Sequence, residues 1–128
     1  MKDWSRVPLI NRGNYHKVMQ YLEYLYEDLG RSSKTIRVFR TRLTYYLYWL
    51  GSHPLSEAHN RKPKFPKYLQ TPEAPIRKST PLALTTQVHV CSAVRGFVTW
   101  LQESKPREYR GFTTAWIKGI RPRKRHQS

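Results

Sequence analysis

The chain has 128 residues, which is enough for one packed domain and too short for two. Its 24 Lys and Arg residues outnumber its 8 Asp and Glu residues, which gives a formal net charge of +16 and a pI of about 10.4. Like charges on a compact body repel one another, so a polyanionic partner is the simplest explanation of this imbalance. Nucleic acid is the commonest such partner, although the composition also fits a ribosome-like RNA binder or a secreted cationic protein.

Cysteine content and the N-terminal residues bear on the compartment. The single cysteine, Cys91, excludes an intrachain disulfide and fits a reducing environment better than a secreted one. Residues 1–11 contain charged side chains and no apolar stretch typical of a signal peptide. The longest aromatic and aliphatic run, residues 45–50, has six residues and is too short to span a bilayer. We therefore expect a cytoplasmic protein associated with the nucleoid, with no membrane partner.

The first predicted element is an amphipathic helix over residues 14–29, where apolar side chains recur every three or four residues. We expect Asn14 to cap its start and Gly30 to end it in a left-handed conformation. Its outer face carries mainly acidic side chains, so this helix is not expected to bind phosphates. The predicted apolar stripe is Tyr15, Val18, Leu22, Leu25 and Leu29.

A second helix is predicted over residues 34–50, with Ser32 or Ser33 as its cap and Gly51 as its end. Three or four residues join it to the first helix, which predicts an antiparallel hairpin. Its predicted buried face consists of Ile36, Phe39, Leu43, Tyr46, Leu47 and Leu50.

Residues 51–84 hold six of the nine prolines, a density that excludes a long helix. Residues 65–70 are expected to form one short helical turn that anchors Tyr68 and Leu69 to the core. The remainder is predicted to be an extended basic loop. Its cations are Arg61, Lys62, Lys64, Lys67, Arg77 and Lys78.

A third long helix is predicted over residues 86–103, with Thr85 as its N-cap. Its core stripe would be Val90, Val94, Phe97 and Leu101, and Gly96 with Ala93 indicates that another helix approaches closely. The residues after Pro106 are expected to form one or two short helical stretches anchored by Phe112, Trp116 and Ile120. Five cations fall within residues 118–125, so this tail is expected to be mobile without DNA.

The positive charge is concentrated in the second half of the chain. Residues 1–60 hold 9 basic and 5 acidic residues, whereas residues 61–128 hold 15 basic and 3 acidic residues. The partner is therefore expected to contact the proline-rich loop, the third long helix and the tail more than the first helix.

Two helix faces are candidate contact surfaces. On the second helix, cations and hydroxyl groups lie opposite the buried face, which suits phosphates and base edges. The third long helix could enter a groove by its first turn, where Gln87 could pair with adenine. The alternative for each is an ordinary solvated face, and for His89 a half-packed surface histidine. The candidate DNA-binding residues are Ser33, Lys34, Arg37, Thr41, Arg42, Thr86, Gln87, His89, Arg95, Arg121, Arg123 and Lys124.

Catalytic and metal chemistry find little support in the sequence. The five histidines are scattered, none forms a zinc-type pair with Cys91, and Cys91 is expected to be a small buried residue. No glycine-rich phosphate loop and no paired carboxylates are present. We expect no catalytic residue, no metal and no cofactor. Most of the aromatic residues are expected to lie in the core rather than to stack on bases.

Residues 33–50 resemble the second helix of the N-terminal core-binding domain of tyrosine recombinases and phage integrases. That family typically shows a Ser-x-x-Thr motif, an aromatic residue followed by Arg, then Leu, and paired aromatics before a closing Leu. Residues 84–101, in which Ser92 and Ala93 precede Arg95 and Phe97, are similar to the family's fourth helix. Residues 119–122 resemble the exit toward its catalytic domain.

The resemblance covers residues 14–122 and implies an all-α, SAM-like bundle of four or five helices, with a proline-rich loop between the second and third long helices. It also implies a module that clamps one side of duplex DNA, and partners that include a catalytic recombinase domain and further protomers assembled on DNA. The implied division is an N-terminal arm (1–13), the DNA-binding domain (14–117) and a basic tail or linker (118–128).

Two departures from the family matter. Its third helix should lie where this chain is proline-rich, and its catalytic His-x-x-Arg motif is absent, since His59 is followed three residues later by Lys62 and His89 by Ser92. The chain is therefore expected to be an excised domain or a truncated gene product without catalysis. The alternatives are an autonomous basic RNA- or DNA-binding protein and, less compatible with the charge, a SAM-like protein-interaction domain.

Overall fold

The computed structural model describes residues 9–71 and 82–123, and within these ranges it contains helices and no strand. This confirms the all-α prediction. The elements in chain order are α1 (Arg12–Glu27), α2 (Ser33–Leu50), a 3-10 helix (Leu55–Asn60), α3 (Phe65–Tyr68), α4 (Leu84–Ser104) and α5 (Thr114–Lys118). No helix in these ranges is both long and apolar enough to cross a membrane.

The first two helices form the predicted hairpin. Ser32 caps α2 by accepting a hydrogen bond from the backbone N–H of Thr35, and Gly51 ends the helix at a φ of 58°. Gly30 lies in the connection at a φ of 66°, a conformation that glycine adopts without steric cost. The Ser32 cap, the Gly51 end and the left-handed conformation of Gly30 were predicted correctly, because each depends on local chemistry alone. The first helix itself ends before Gly30, at Glu27, with Asp28 as its C-cap.

The cap of α1 is Asn11 rather than the predicted Asn14. The Asn11 side chain accepts the backbone N–H of Asn14. Asn14 is itself buried, and its amide group joins α1 to the segment that follows α2: its Nδ2 donates to the His53 carbonyl at 2.7 Å, and its Oδ1 accepts from the Leu55 N–H at 2.9 Å.

The core lies between α2 and α4, with α1 packed across both. The whole predicted stripe of α4 is buried, and so are Leu43, Tyr46, Leu47 and Leu50 of α2. The stripe predicted for α1 fails at its two ends, since Tyr15 and Leu29 are 38% and 47% exposed. Cys91 is fully buried, as predicted.

The proline-rich segment packs as two short helical pieces. The 3-10 helix buries Leu55 and Ala58, and α3 with its C-cap buries Phe65 and Leu69. The short turn predicted over residues 65–70 is therefore confirmed. Residues 72–81, which include Arg77 and Lys78, lie outside the described residues.

Helix α4 begins two residues earlier than predicted. It starts at Leu84 after Ala83, which makes no side-chain capping hydrogen bond, so the prediction of Thr85 as N-cap is wrong. Thr85 lies inside the first turn and is exposed.

The C-terminal anchors are confirmed. Phe112 and Ile120 are buried, and the half-buried Trp116 stacks on Phe112 with 4.6 Å between ring centroids. The guanidinium of Arg95 on α4 donates to the Ile120 carbonyl. Packing of Ile120 conflicts with the expectation that the tail is mobile from residue 118, because the folded body continues past that point.

Candidate nucleic-acid interface

A groove lined by positive charge lies between the proline-rich segment and the C-terminal residues. It has a volume of about 720 Å³. Among the described residues that line it, five are exposed cations and none is acidic. We call it the cationic groove. Its residues are Lys62, Pro63, Lys64, Pro66, Lys67, Gly119, Arg121 and Arg123.

The lysine wall of the cationic groove consists of Lys62, Lys64 and Lys67, and packing of the proline-rich segment holds it in place. The indole N–H of Trp49 donates to the Pro63 carbonyl at 2.7 Å, and Phe65 with Pro66 is buried beneath. Apolar anchors therefore alternate with the exposed lysines at 62, 64 and 67.

The arginine wall of the groove consists of Arg121 and Arg123, and contacts from two other parts of the fold hold it in place. Arg95 of α4 binds the Ile120 carbonyl, and the side-chain amide of Gln70, just after α3, donates to the Arg123 carbonyl at 3.3 Å. These contacts use main-chain atoms of Ile120 and Arg123, and the side chains of Arg121 and Arg123 are exposed.

The electrostatics of the groove favour an anion. Within the described ranges, no cation of the groove forms an ion pair. The ion pair between Lys105 and Glu108, at 3.8 Å, lies outside the groove. Unpaired like charges around a concave surface raise the local positive potential, which attracts a polyanion and strengthens phosphate binding.

The candidate residues on α2 form a second, separate surface. Ser33, Lys34, Arg37 and Thr41 are exposed, and Thr41 uses its hydroxyl to donate to the Arg37 carbonyl at 3.2 Å. Arg42 is half-buried, with its guanidinium 5.6 Å from the centroid of the Phe39 ring. None of these residues lines the cationic groove.

The candidates on α4 divide into exposed and internal residues. Thr86 and His89 are exposed in the first turn and a half of the helix. Gln87 is only 7% exposed: its amide donates to the Leu82 carbonyl at 3.0 Å and lies 3.5 Å from the Gln70 amide. The expectation that Gln87 reads a base conflicts with this position.

Arg95 is a second candidate that the fold uses internally. It is partly buried and holds the Ile120 carbonyl, so its contribution to the interface is to position the arginine wall. Gln70 joins these regions, since it contacts both Gln87 and the carbonyl of Arg123 and so places the start of α4 beside the groove.

The lysines of the proline-rich loop were not among the predicted site residues, although the charge of this loop predicted a contact with the partner. The available signal was the alternation of Lys62, Lys64 and Lys67 with prolines and Phe65. Of the predicted site residues, the structure brings Arg121 and Arg123 to the groove, while Lys124 lies outside the described residues.

No group of three or more His, Cys, Asp or Glu side chains within residues 9–71 and 82–123 is placed to hold a metal ion. The chemistry offered by this part of the chain is therefore that of cations, hydroxyl groups and aromatic rings.

Comparison with known families decides the relationship. The model of the family described as phage integrase, N-terminal SAM-like domain, matches residues 18–105. The chain belongs to this family. The matched residues run from within α1 to just past the end of α4, which confirms the SAM-like fold and the resemblance found in the sequence. Membership places the chain in the context of DNA integration and recombination by tyrosine recombinases, of which this domain is a non-catalytic module. No match was found among curated proteins or among solved structures.

Proposed function

We propose that this chain binds duplex DNA as the core-binding module of a tyrosine-type site-specific recombinase and performs no catalytic step itself. The observation that carries the DNA-binding part is the cationic groove, in which five exposed cations line a concave surface and none of them pairs with an acidic side chain of residues 9–71 or 82–123. Phosphate contacts of this kind supply most of the sequence-independent affinity for DNA. The family supplies the recombinase context.

The exposed face of α2 is proposed as a second contact. Lys34 and Arg37 lie in the first turns of the helix, where the backbone N–H groups and the helix dipole also favour a phosphate. On α4, the exposed Thr86 and His89 are the residues able to approach a groove, since Gln87 is buried. Lys124 extends the basic tail and joins the proposed contacts.

The absence of catalysis is proposed from the chemistry of the chain. The family's nucleophilic tyrosine depends on a His-x-x-Arg motif, which this sequence lacks. Incubation with a nicked recombination-type substrate is expected to give no covalent protein–DNA adduct, and a trapped adduct would overturn this part of the proposal.

The proposed partners are duplex DNA, a catalytic recombinase domain and other protomers on the same DNA, in the cytoplasm at the nucleoid. For the 128 residues assayed alone, affinity for duplex DNA is expected to be on the order of micromolar, because a core-binding module contacts one side of the duplex. About five to eight phosphate contacts predict a slope of log K against log salt of roughly −4 to −7, at about −0.9 per contact.

The decisive experiment removes the lysine wall. Lys62→Ala, Lys64→Ala and Lys67→Ala together should weaken binding to all duplex sequences and flatten the salt slope by about 2.7 units. The triple change Lys105→Ala, Arg107→Ala and Arg110→Ala removes the same charge from exposed residues outside the groove, and a much smaller effect is expected. Equal effects of the two variants would overturn the assignment of the groove. Preferential binding of double-stranded RNA would favour an autonomous RNA-binding protein.

A further inference from the structure

A pocket with aromatic walls opens beside the cationic groove. Tyr46 and Trp49 of α2, Phe65 of α3 and Trp116 of α5 contribute its rings, and its volume is about 100 Å³. For comparison, an apolar cavity of about 150 Å³ holds a benzene ring. The pocket is smaller than that cavity, so a single six-membered ring can enter it in part, through its open mouth.

The pocket and the groove are continuous. Lys64, Pro66 and Gly119 line both. Arg61 also lines the pocket, with its guanidinium 5.9 Å from the centroid of the Trp49 ring and its Nε donating to the Trp49 carbonyl. An apolar, aromatic floor thus lies next to a cationic edge.

One polar atom of the pocket residues lacks a partner. Tyr46 is fully buried, and its hydroxyl forms no hydrogen bond with any of the described residues. Buried polar groups in folded proteins are nearly always paired, so this hydroxyl, which is sealed from solvent, is an exception in the core behind the pocket.

These features together select one class of occupant. An apolar side chain would suit the aromatic walls but would leave the cations at the pocket edge without a partner. A free phosphate would suit the cations but not the walls. A nucleotide carries a planar ring, polar atoms on the ring edge and a phosphate, in the order in which the pocket and the groove present their complements.

We propose that the aromatic pocket receives one unpaired base of the DNA strand whose phosphates lie in the cationic groove. The proposal rests on the proposed function and deepens it, since a base inside a fully paired duplex is stacked and cannot enter. The preferred DNA is therefore a duplex with a local unpaired position.

The test compares three DNAs of one sequence: the fully paired duplex, the duplex with a single bulged thymine, and the duplex with a bulged abasic site. The full chain should bind the thymine bulge on the order of 10-fold more tightly than the abasic bulge, since stacking of one base on aromatic side chains has about this effect. Equal affinities for the two bulges would overturn the proposal.

Two variants on α5 test the location. Ala115 is an exposed residue of the pocket rim, so Ala115→Leu should fill the mouth and abolish the preference for thymine while leaving the affinity for the paired duplex unchanged. Thr114→Leu makes a similar change at an exposed residue outside the pocket and should keep the preference. Persistence of the preference in Ala115→Leu would also overturn the proposal.

A cross-link provides a readout that needs no variant. A bulged 5-iodouracil irradiated in complex with the unmodified chain should form its adduct on Trp116 or Trp49, and an adduct confined to other residues contradicts the proposal. Failure of the proposed function can be told apart from failure of the pocket proposal. If the proposed function fails, the variant with Lys62, Lys64 and Lys67 changed to Ala binds all three DNAs as well as the unmodified chain does. If that variant weakens all three equally and no thymine preference exists, only the pocket proposal fails.

Discussion

The hydroxyl oxygen of Tyr21 on α1 lies 2.8 Å from the point that a Cβ atom at Gly96 on α4 would occupy. The Tyr21 ring is held between Phe97 and Trp100, with centroid distances of 5.3 and 5.4 Å. Glycine inside a helix ordinarily costs about 1 kcal/mol relative to alanine. Here the missing side chain lets α1 approach α4, as the small residues of α4 indicated in the sequence.

This contact predicts a rescue. Gly96→Ala alone should lower the free energy of unfolding by about 1–2 kcal/mol, because overpacking at the Tyr21 hydroxyl exceeds the gain in helix propensity. Adding Tyr21→Phe removes the obstructing oxygen and should restore stability to at least that of Tyr21→Phe alone. Urea unfolding of the four proteins measures the coupling, and strictly additive effects would show that the hydroxyl does not set the spacing.

Substitution of Asn14 is expected to lower the free energy of unfolding more than substitution of most other polar residues. Asn14→Ala leaves the His53 carbonyl and the Leu55 N–H without their partner and should cost about 2 kcal/mol or more in the free energy of unfolding. Gln20→Ala, at an exposed position of the same helix, should change it by less than about 0.5 kcal/mol. Similar losses in both variants would refute the role of the Asn14 amide.

Stability is expected to fall at alkaline pH. Burial raises the pKa of Cys91 from 9.0 to about 11 in the folded chain, and burial raises the pKa of Tyr109 from 10.0 to about 12. The folded state therefore holds more protons than the unfolded state above about pH 9, and stability declines as pH rises from there. Thermal unfolding between pH 8 and 11 should show this decline, and Cys91→Ala should reduce it; an unchanged profile would exclude the Cys91 thiol as a contributor.

The exposed face of α2 gives a separate prediction. Arg37→Ala or Lys34→Ala should weaken binding to all duplex sequences alike and flatten the salt slope by about one unit if the residue meets a phosphate. Glu23→Ala, on the acidic surface of α1, should leave binding unchanged or strengthen it slightly. If Arg37→Ala affects DNA binding no more than Glu23→Ala does, α2 does not lie on the DNA-facing surface.

Local signals in the sequence predicted the helices well. Ser32, Gly30 and Gly51 act through their own backbone or side chain, and the core stripe of α4 follows from helical spacing. The same spacing misplaced Gln87, because a helical wheel does not show that Leu82 and Gln70 cover that side of α4. The cationic groove could not be predicted, since its walls at Lys67 and Arg121 are far apart in the chain and meet only through tertiary packing.

The attachment of residues 120–123 has a mechanical consequence. Arg95 and Gln70 hold the carbonyls of Ile120 and Arg123, so a load applied beyond Arg123 reaches the segment after α3 and then α4 before it can peel α5 away. The load meets the two hydrogen bonds in turn, first the one from Gln70 and then the one from Arg95. A tether at this end of the chain pulls on the centre of the bundle, and the lysine and arginine walls of the groove keep their spacing under tension until that double attachment yields.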